Sequence, residues 1–343
     1  MSGRSVFTRT VRRGAVRLRR TWESDGVAGD PEAGGSGRPL GAESLTFSAS
    51  SRRAMRYDFA GREWDALGPR PAMITLTYPA KWREYAPNAR AVVRQREAFK
   101  EAWRRKWGAP IGVWVMEFQP RRTRPEAEQR APHIHMYLGL PAGVSDEEFG
   151  GLIRRTYRRK FLERKHGQYT GRGMLEPIEG EFCEWLLATW SRIVGSEGTP
   201  HRWRGADITP AFWTDDAEAK ADRTAISDYF WMESGKWGQK LPPEGFGGLR
   251  FYGAWGERHG FVIRQEEVEV HSRVWYEERR MYRRLIQART REWKGGRVGH
   301  RKQRGRSKSR DGLTAFLQLA PSVAERIAKA AEESVAWKSA YPI

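Results

Sequence analysis

The sequence predicts an α+β fold in which helices pack on a largely antiparallel sheet, with a basic helical extension towards the C-terminal end. Three observations predict it. Strand-like alternation and helical periodicity interleave through residues 45–260. The strand patterns at 112–118 and 133–140 lie close enough along the chain to form a hairpin. From 261 onward the chain reads mainly as charged helix and lysine/arginine-rich linker.

Each element follows from its side chains. MITLTY (73–78) sets Ile74 and Leu76 against Thr75 and Thr77. GVWVMEF (112–118) is rich in β-branched and aromatic residues, which suit a pleated surface. HIHMYLGL (133–140) alternates throughout: Ile134, Met136, Leu138 and Leu140 fall on one face, and His133, His135 and Tyr137 on the other. Helices are predicted near 88–107, 145–164 and 180–194, and another from Asp215, where Glu218 completes a cap, to about residue 234. A strand-like stretch at 261–269 leads into a charged helix over roughly 271–292. A last helix opens on a capping-box pattern, Ser322 with Glu325, and carries Val323, Ile327 and Ala331 on one face.

Composition narrows the function. The chain of 343 residues has 62 Lys and Arg against 42 Asp and Glu, a formal charge of +20, so the expected partner is a polyanion, nucleic acid before an anionic membrane. Its single cysteine, Cys183, excludes a disulfide framework and a thiolate metal cluster, and fits a reducing compartment. With no apolar run of about 18 residues and no secretory apolar stretch behind the N-terminal arginines, a cytoplasmic protein is expected. Three regions are predicted. Residues 1–44 read as a disordered basic tail, with Arg4, Arg9, Arg12, Arg13, Arg17, Arg19 and Arg20 ahead of the first acid, Glu23. Residues 45–260 read as the folded core. Residues 261–343 read as a basic helical region containing a flexible linker, 294–310, with eight basic residues and no acid.

Two clusters carry chemistry. Histidines at i and i+2 on a strand point the same way, close enough for both imidazoles to reach one metal ion. Glu117 interrupts an apolar strand near its end, and an antiparallel hairpin brings it beside His133. Two imidazoles and a carboxylate suit a divalent ion such as Mg or Mn. The second cluster is ISDYFWMESGKWGQK (226–240). Tyr229, Glu233, Lys236 and Lys240 fall at i, i+4, i+7 and i+11, one face of a helix, although Gly235 and Gly238 weaken that helix. A phenol, a carboxylate and cations on one stripe suit attack on a phosphodiester. Glu233 has two readings: a general base for a closing step, or a partner of Lys236 or Lys240 on an exposed face.

These motifs resemble the HUH endonucleases, and among them the rolling-circle replication initiators of plasmids and phages. MITLTY is similar to the family's first motif, PHIHMYL to its His-apolar-His motif, and AISDYFWMESGK to its tyrosine helix, in the family's order over roughly residues 45–260. The resemblance implies an HUH-type central antiparallel sheet flanked by helices, and a metal held by Glu117, His133 and His135. It also implies Tyr229 as the nucleophile that forms a 5′-phosphotyrosine, and Lys236 as the assisting cation. The tyrosine follows the histidines, unlike in conjugative relaxases, and Glu233 stands where two-tyrosine initiators carry their second tyrosine. The implied substrate is single-stranded or cruciform origin DNA. Arg121, Arg122 and Arg124 in the long hairpin loop, Lys240, and Arg301, Lys302 and Arg304 in the linker are candidate DNA contacts. No G-x-x-x-x-G-K-[ST] pattern occurs, so unwinding and synthesis would fall to a host helicase and DNA polymerase. Two alternatives stay open: a transposase with the same chemistry, and a non-catalytic DNA-binding protein.

Overall fold

The computed structural model describes residues 4–23, 49–119, 125, 129–155, 180–210, 242–293, 312–317 and 320–340. In chain order these form β1 (Arg4–Arg12), β2 (Ala15–Glu23), α1 (Ala49–Phe59), β3 (Pro71–Leu76), α2 (Ala89–Trp107), β4 (Gly112–Gln119) and β5 (Ala131–Gly139). There follow α3 (146–155), α4 (Glu181–Val194), β6 (Ala206–Pro210), β7 (Tyr252–Trp255), β8 (Glu266–Glu269), α5 (Ser272–Trp293), β9 (Gly312–Phe316) and α6 (Ala320–Ala340). The protein is α+β, and both of its sheets are antiparallel throughout.

The chain divides into two compact units: Met1–Leu40 with Tyr57–Arg62 and Ile263–Ile343, and Gly41–Arg56 with Glu63–Val262. The second unit is built on a five-stranded sheet in the order β6-β3-β5-β4-β7, so β5 runs through its centre. Alternation puts Ile74, Leu76, Trp114, Met116, Ile134, Met136 and Leu138 on one face, and all are buried. Helix α2 begins at Asn88, whose side chain accepts from the Ala91 N–H, and ends at Gly108, whose φ of 88° suits glycine. Its buried residues Val92, Arg96, Phe99 and Trp103 recur at helical spacing. Arg96 lies over the Trp114 ring of that face, 3.8 Å from its centroid. Phe99 and Trp103 interlock edge-on with Trp190 and Phe182 of α4, and the Trp190 indole N–H donates to the Thr77 carbonyl at the end of β3. On the opposite face, Tyr137 packs edge-on against Trp64, which in turn meets Phe261.

The first unit corrects the expectation of an N-terminal tail. Residues 4–23 form a hairpin, and β8-β1-β2-β9 make a four-stranded sheet. Phe7, Val16 and Leu18 on one face join Trp275 and Tyr282 of α5, Leu317, and Ala320 and Ala324 of α6 in a buried core. The seven arginines conceal an alternation. Arg9 is half-buried and pairs with the fully buried Glu278, while Arg12 lies over the Tyr57 ring. Their long apolar stems allow arginines to line such surfaces. Residues 24–48 lie outside the described residues. In the C-terminal region the strand-like stretch expected at 261–269 contains β8, and β9 is an unexpected strand beside the helices. Its last helix starts at Ala320, which places Ser322 inside the first turn rather than at the cap. The linker 294–310 is outside the described residues.

Candidate metal centre

The strand period and the hairpin register assemble this site. Glu117 on β4 stands directly opposite His133 on β5, and His135 shares the face two residues on. The same row continues outward: Thr75 on β3 is opposite His135, and Asp207 on β6 is opposite Thr75. Glu117 and His133 are each only 6 % exposed, whereas His135 is half-buried. Burying a carboxylate inside a β-sheet protein is costly unless a positive group faces it.

His135 is held from both sides. Its Nδ1 lies 3.1 Å from the Thr75 hydroxyl and its Nε2 lies 3.5 Å from Glu117 Oε2. If Nδ1–H donates to Thr75, Nε2 turns a lone pair towards a carboxylate oxygen, and a cation between them relieves the repulsion. Two neighbouring ligand atoms of an octahedral Mg or Mn ion bound at about 2.1 Å stand about 3.0 Å apart. The Glu117–His135 separation of 3.5 Å is therefore wider by about 0.5 Å than one edge of such a site. The His133 and His135 ring centroids are 6.2 Å apart and tilted by 47°, wider by about 1.5 Å than two neighbouring imidazoles on one octahedral ion. Accordingly, no group of three or more His, Cys, Asp or Glu side chains among the described residues is gathered closely enough to hold a metal ion as it stands. The donor types suit a divalent ion and share one face, but their present spacing is wider than a bound ion would require.

Other parts of this region are structural ties. His201 Nε2 lies 2.8 Å from the Thr77 carbonyl, which can only accept, so that nitrogen carries a proton, and Nδ1 lies 2.6 Å from the Ser196 hydroxyl. This second histidine near the end of β3 thus has both nitrogens engaged in linking Thr77 to the 196–205 segment. Tyr137 shares the histidine face but is buried against Trp64. Asp207 pairs with Arg155 of α3 at 3.1 Å.

Of the predicted residues, Glu117, His133 and His135 share one face of the sheet without closing into a metal-holding group. Tyr229, Glu233, Lys236 and Lys240, the loop residues Arg121, Arg122 and Arg124, and the linker residues Arg301, Lys302 and Arg304 all lie outside the described residues. The predicted helix from Asp215 to about residue 234 does so too. Sequence reasoning missed Thr75 and Asp207. The alternation of MITLTY already put Thr75 on the polar face, but only the strand order makes it a neighbour of His135. No helix among the described residues is long and apolar enough to cross a membrane. Comparison with protein-family models, curated proteins and solved structures gives no match.

Proposed function

We propose that this protein is an HUH-type nicking and joining endonuclease that cuts single-stranded DNA through a tyrosine, and that it initiates rolling-circle replication of a plasmid or phage. The observation that carries the reading is Glu117, held 3.5 Å from His135 and opposite His133 on the central strand of an all-antiparallel sheet. That arrangement is the one the family resemblance implies.

Glu117, His133 and His135 would hold a divalent Mg or Mn ion, which when bound polarises the scissile phosphate and offsets the charge that develops on it. Thr75 fixes the His135 ring so that Nε2 faces the ligand position. The Glu117 carboxylate balances the ion's charge. The Tyr229 oxygen attacks phosphorus, the P–O bond to the 3′-oxygen breaks, the phenol proton ends on the released 3′-hydroxyl, and a 5′-phosphotyrosine remains. Lys236 neutralises charge on the phosphate or the phenolate. A later 3′-hydroxyl attacks the phosphotyrosine and regenerates the phenol, so the two transfers balance without any oxidant or nucleotide. In this reading Glu233 assists the closing step as a general base. The single strand at an origin or cruciform is the substrate, and a host helicase and DNA polymerase act with it. The excess of 20 positive charges supports a nucleic-acid partner.

Incubating the protein with origin single strands and Mn²⁺, then resolving covalent adduct on a denaturing gel, tests the reading. Wild type forms the adduct. Tyr229→Phe abolishes it with DNA affinity nearly unchanged, and His133→Ala, His135→Ala and Glu117→Ala each lose metal-dependent cleavage. Adduct formation by Tyr229→Phe at the wild-type level would move the nucleophile elsewhere. No adduct from wild type would leave a non-catalytic DNA-binding protein.

A further inference from the structure

The first unit carries a feature that a nicking centre does not require. At the end of the hairpin where Ser5 pairs with Trp22, the Arg20 guanidinium lies over the Trp22 ring, 4.4 Å from its centroid. The same guanidinium lies 5.5 Å from the ring of Phe7. Phe7 meets Tyr276 of α5 edge-on at 5.9 Å. These contacts make a ladder of aromatic, guanidinium, aromatic and aromatic groups. Its middle is buried and its ends are open: Phe7 is 9 % exposed, but Trp22 is 64 % exposed and Tyr276 46 %. Arg20 is held in place by its hydrogen bonds to Ser5 Oγ. Arg19 and Arg4, both exposed, stand on the same hairpin end on the other face of the sheet.

We propose that this ladder is a binding site for single-stranded nucleic acid, separate from the metal centre, with Trp22 and Tyr276 as the stacking surfaces and Arg20 between them. Flat apolar faces spaced along a polyanion are the chemistry that exposed aromatic rings and a guanidinium recognise together. A duplex keeps its base faces inside the stack and offers these rings nothing, so the single strand is the occupant. A purely apolar protein partner would not call for a guanidinium stacked on the exposed Trp22 ring. The site reads no particular sequence, because every base has a face to stack. It would retain a displaced strand while chemistry proceeds elsewhere. The inference does not rest on the nicking reading.

The test is equilibrium binding of the full chain to fluorescent oligothymidylate of about 20 nucleotides and to a duplex of the same length, in the same salt. Trp22→Ala and Tyr276→Ala each weaken single-strand binding about tenfold and change duplex binding less than about twofold. Trp22→Phe keeps a stacking face and stays within about threefold of wild type. Both substituted side chains are exposed, and circular dichroism verifies that the variants fold. Single-strand affinity unchanged in both alanine variants would overturn the site. So would an equal loss on duplex, which would mark a charge effect without stacking, or a loss in Trp22→Phe as large as in Trp22→Ala. Adduct formation at saturating oligonucleotide is read in parallel. Absence of adduct from wild type, together with the selective binding loss, would refute the nicking reading and leave this site standing.

Discussion

Replacing Thr75 by valine is the sharpest probe of the metal centre, because it removes one hydroxyl and little else. Valine keeps the β-branch and nearly the same volume, so β3 retains its strand preference and no void opens. What disappears is the contact at 3.1 Å that holds His135 Nδ1. One intramolecular hydrogen bond contributes about 0.5–1.5 kcal/mol net, roughly twofold to tenfold in affinity if all of it is felt at the metal. Loss of an outer partner of a ligating histidine costs about 10–100-fold in metal affinity. The two ranges meet at about tenfold, the expected weakening of Mn²⁺ binding. Calorimetric titration with Mn²⁺ measures it, with Thr75→Ser, which restores the hydroxyl, returning most of the affinity. Imidazole ¹⁵N shifts give a second readout: the balance of His135 tautomers changes when the hydroxyl partner of Nδ1 is removed. An affinity within about twofold of wild type, with an unchanged tautomer, would show that Thr75 does not orient the ligand and that the hydroxyl contact is incidental.

Three further outcomes follow from the packing. A Cβ at Gly253 would meet the Trp114 indole at 2.7 Å, and Trp114 is 3 % exposed. Gly253→Ala therefore costs about 1–3 kcal/mol by overpacking, seen as a lower urea midpoint, and an unchanged midpoint would mean that the Trp114 ring shifts freely. Burial pushes the Glu278 carboxyl above its ordinary value, against the opposing pull of Arg9. Its folded value is above its unfolded one, so the stability it contributes is full below about pH 4.3 and is lost as pH rises through the folded value. Relative to wild type, Glu278→Gln should thus gain stability as pH rises through that window; urea titrations across pH test it, and a difference that shrinks with pH would reverse the assignment. Burial also pushes the Cys183 thiol up. Alkylation by iodoacetamide is accordingly slow in the native protein and fast in urea, and equal rates would place the thiol at the surface.

Local periodicity determined much of what the sequence revealed. The alternation of 133–140 put His133 and His135 on one face, and a hairpin with 112–118 brought Glu117 opposite His133, since both depend only on the period of a strand and on a nearby partner. Helix α2 was legible near 88–107 because the helical spacing of its apolar residues lies within the segment. Tertiary structure decided the rest. The N-terminal arginines read as a tail because the side chains that bury Phe7, Val16 and Leu18 come from α5, α6 and Leu317 at the other end of the chain. No window of sequence contains both halves of that core. Likewise, strand order placed β5 at the centre of its sheet and set Thr75 against His135. The exposed ladder of Trp22 and Tyr276 exists only once β2 and α5 share one layer of side chains. Periodicity fixes which way a side chain faces, but pairing between distant segments fixes what it faces, and that is where this protein's polar and aromatic surfaces were decided.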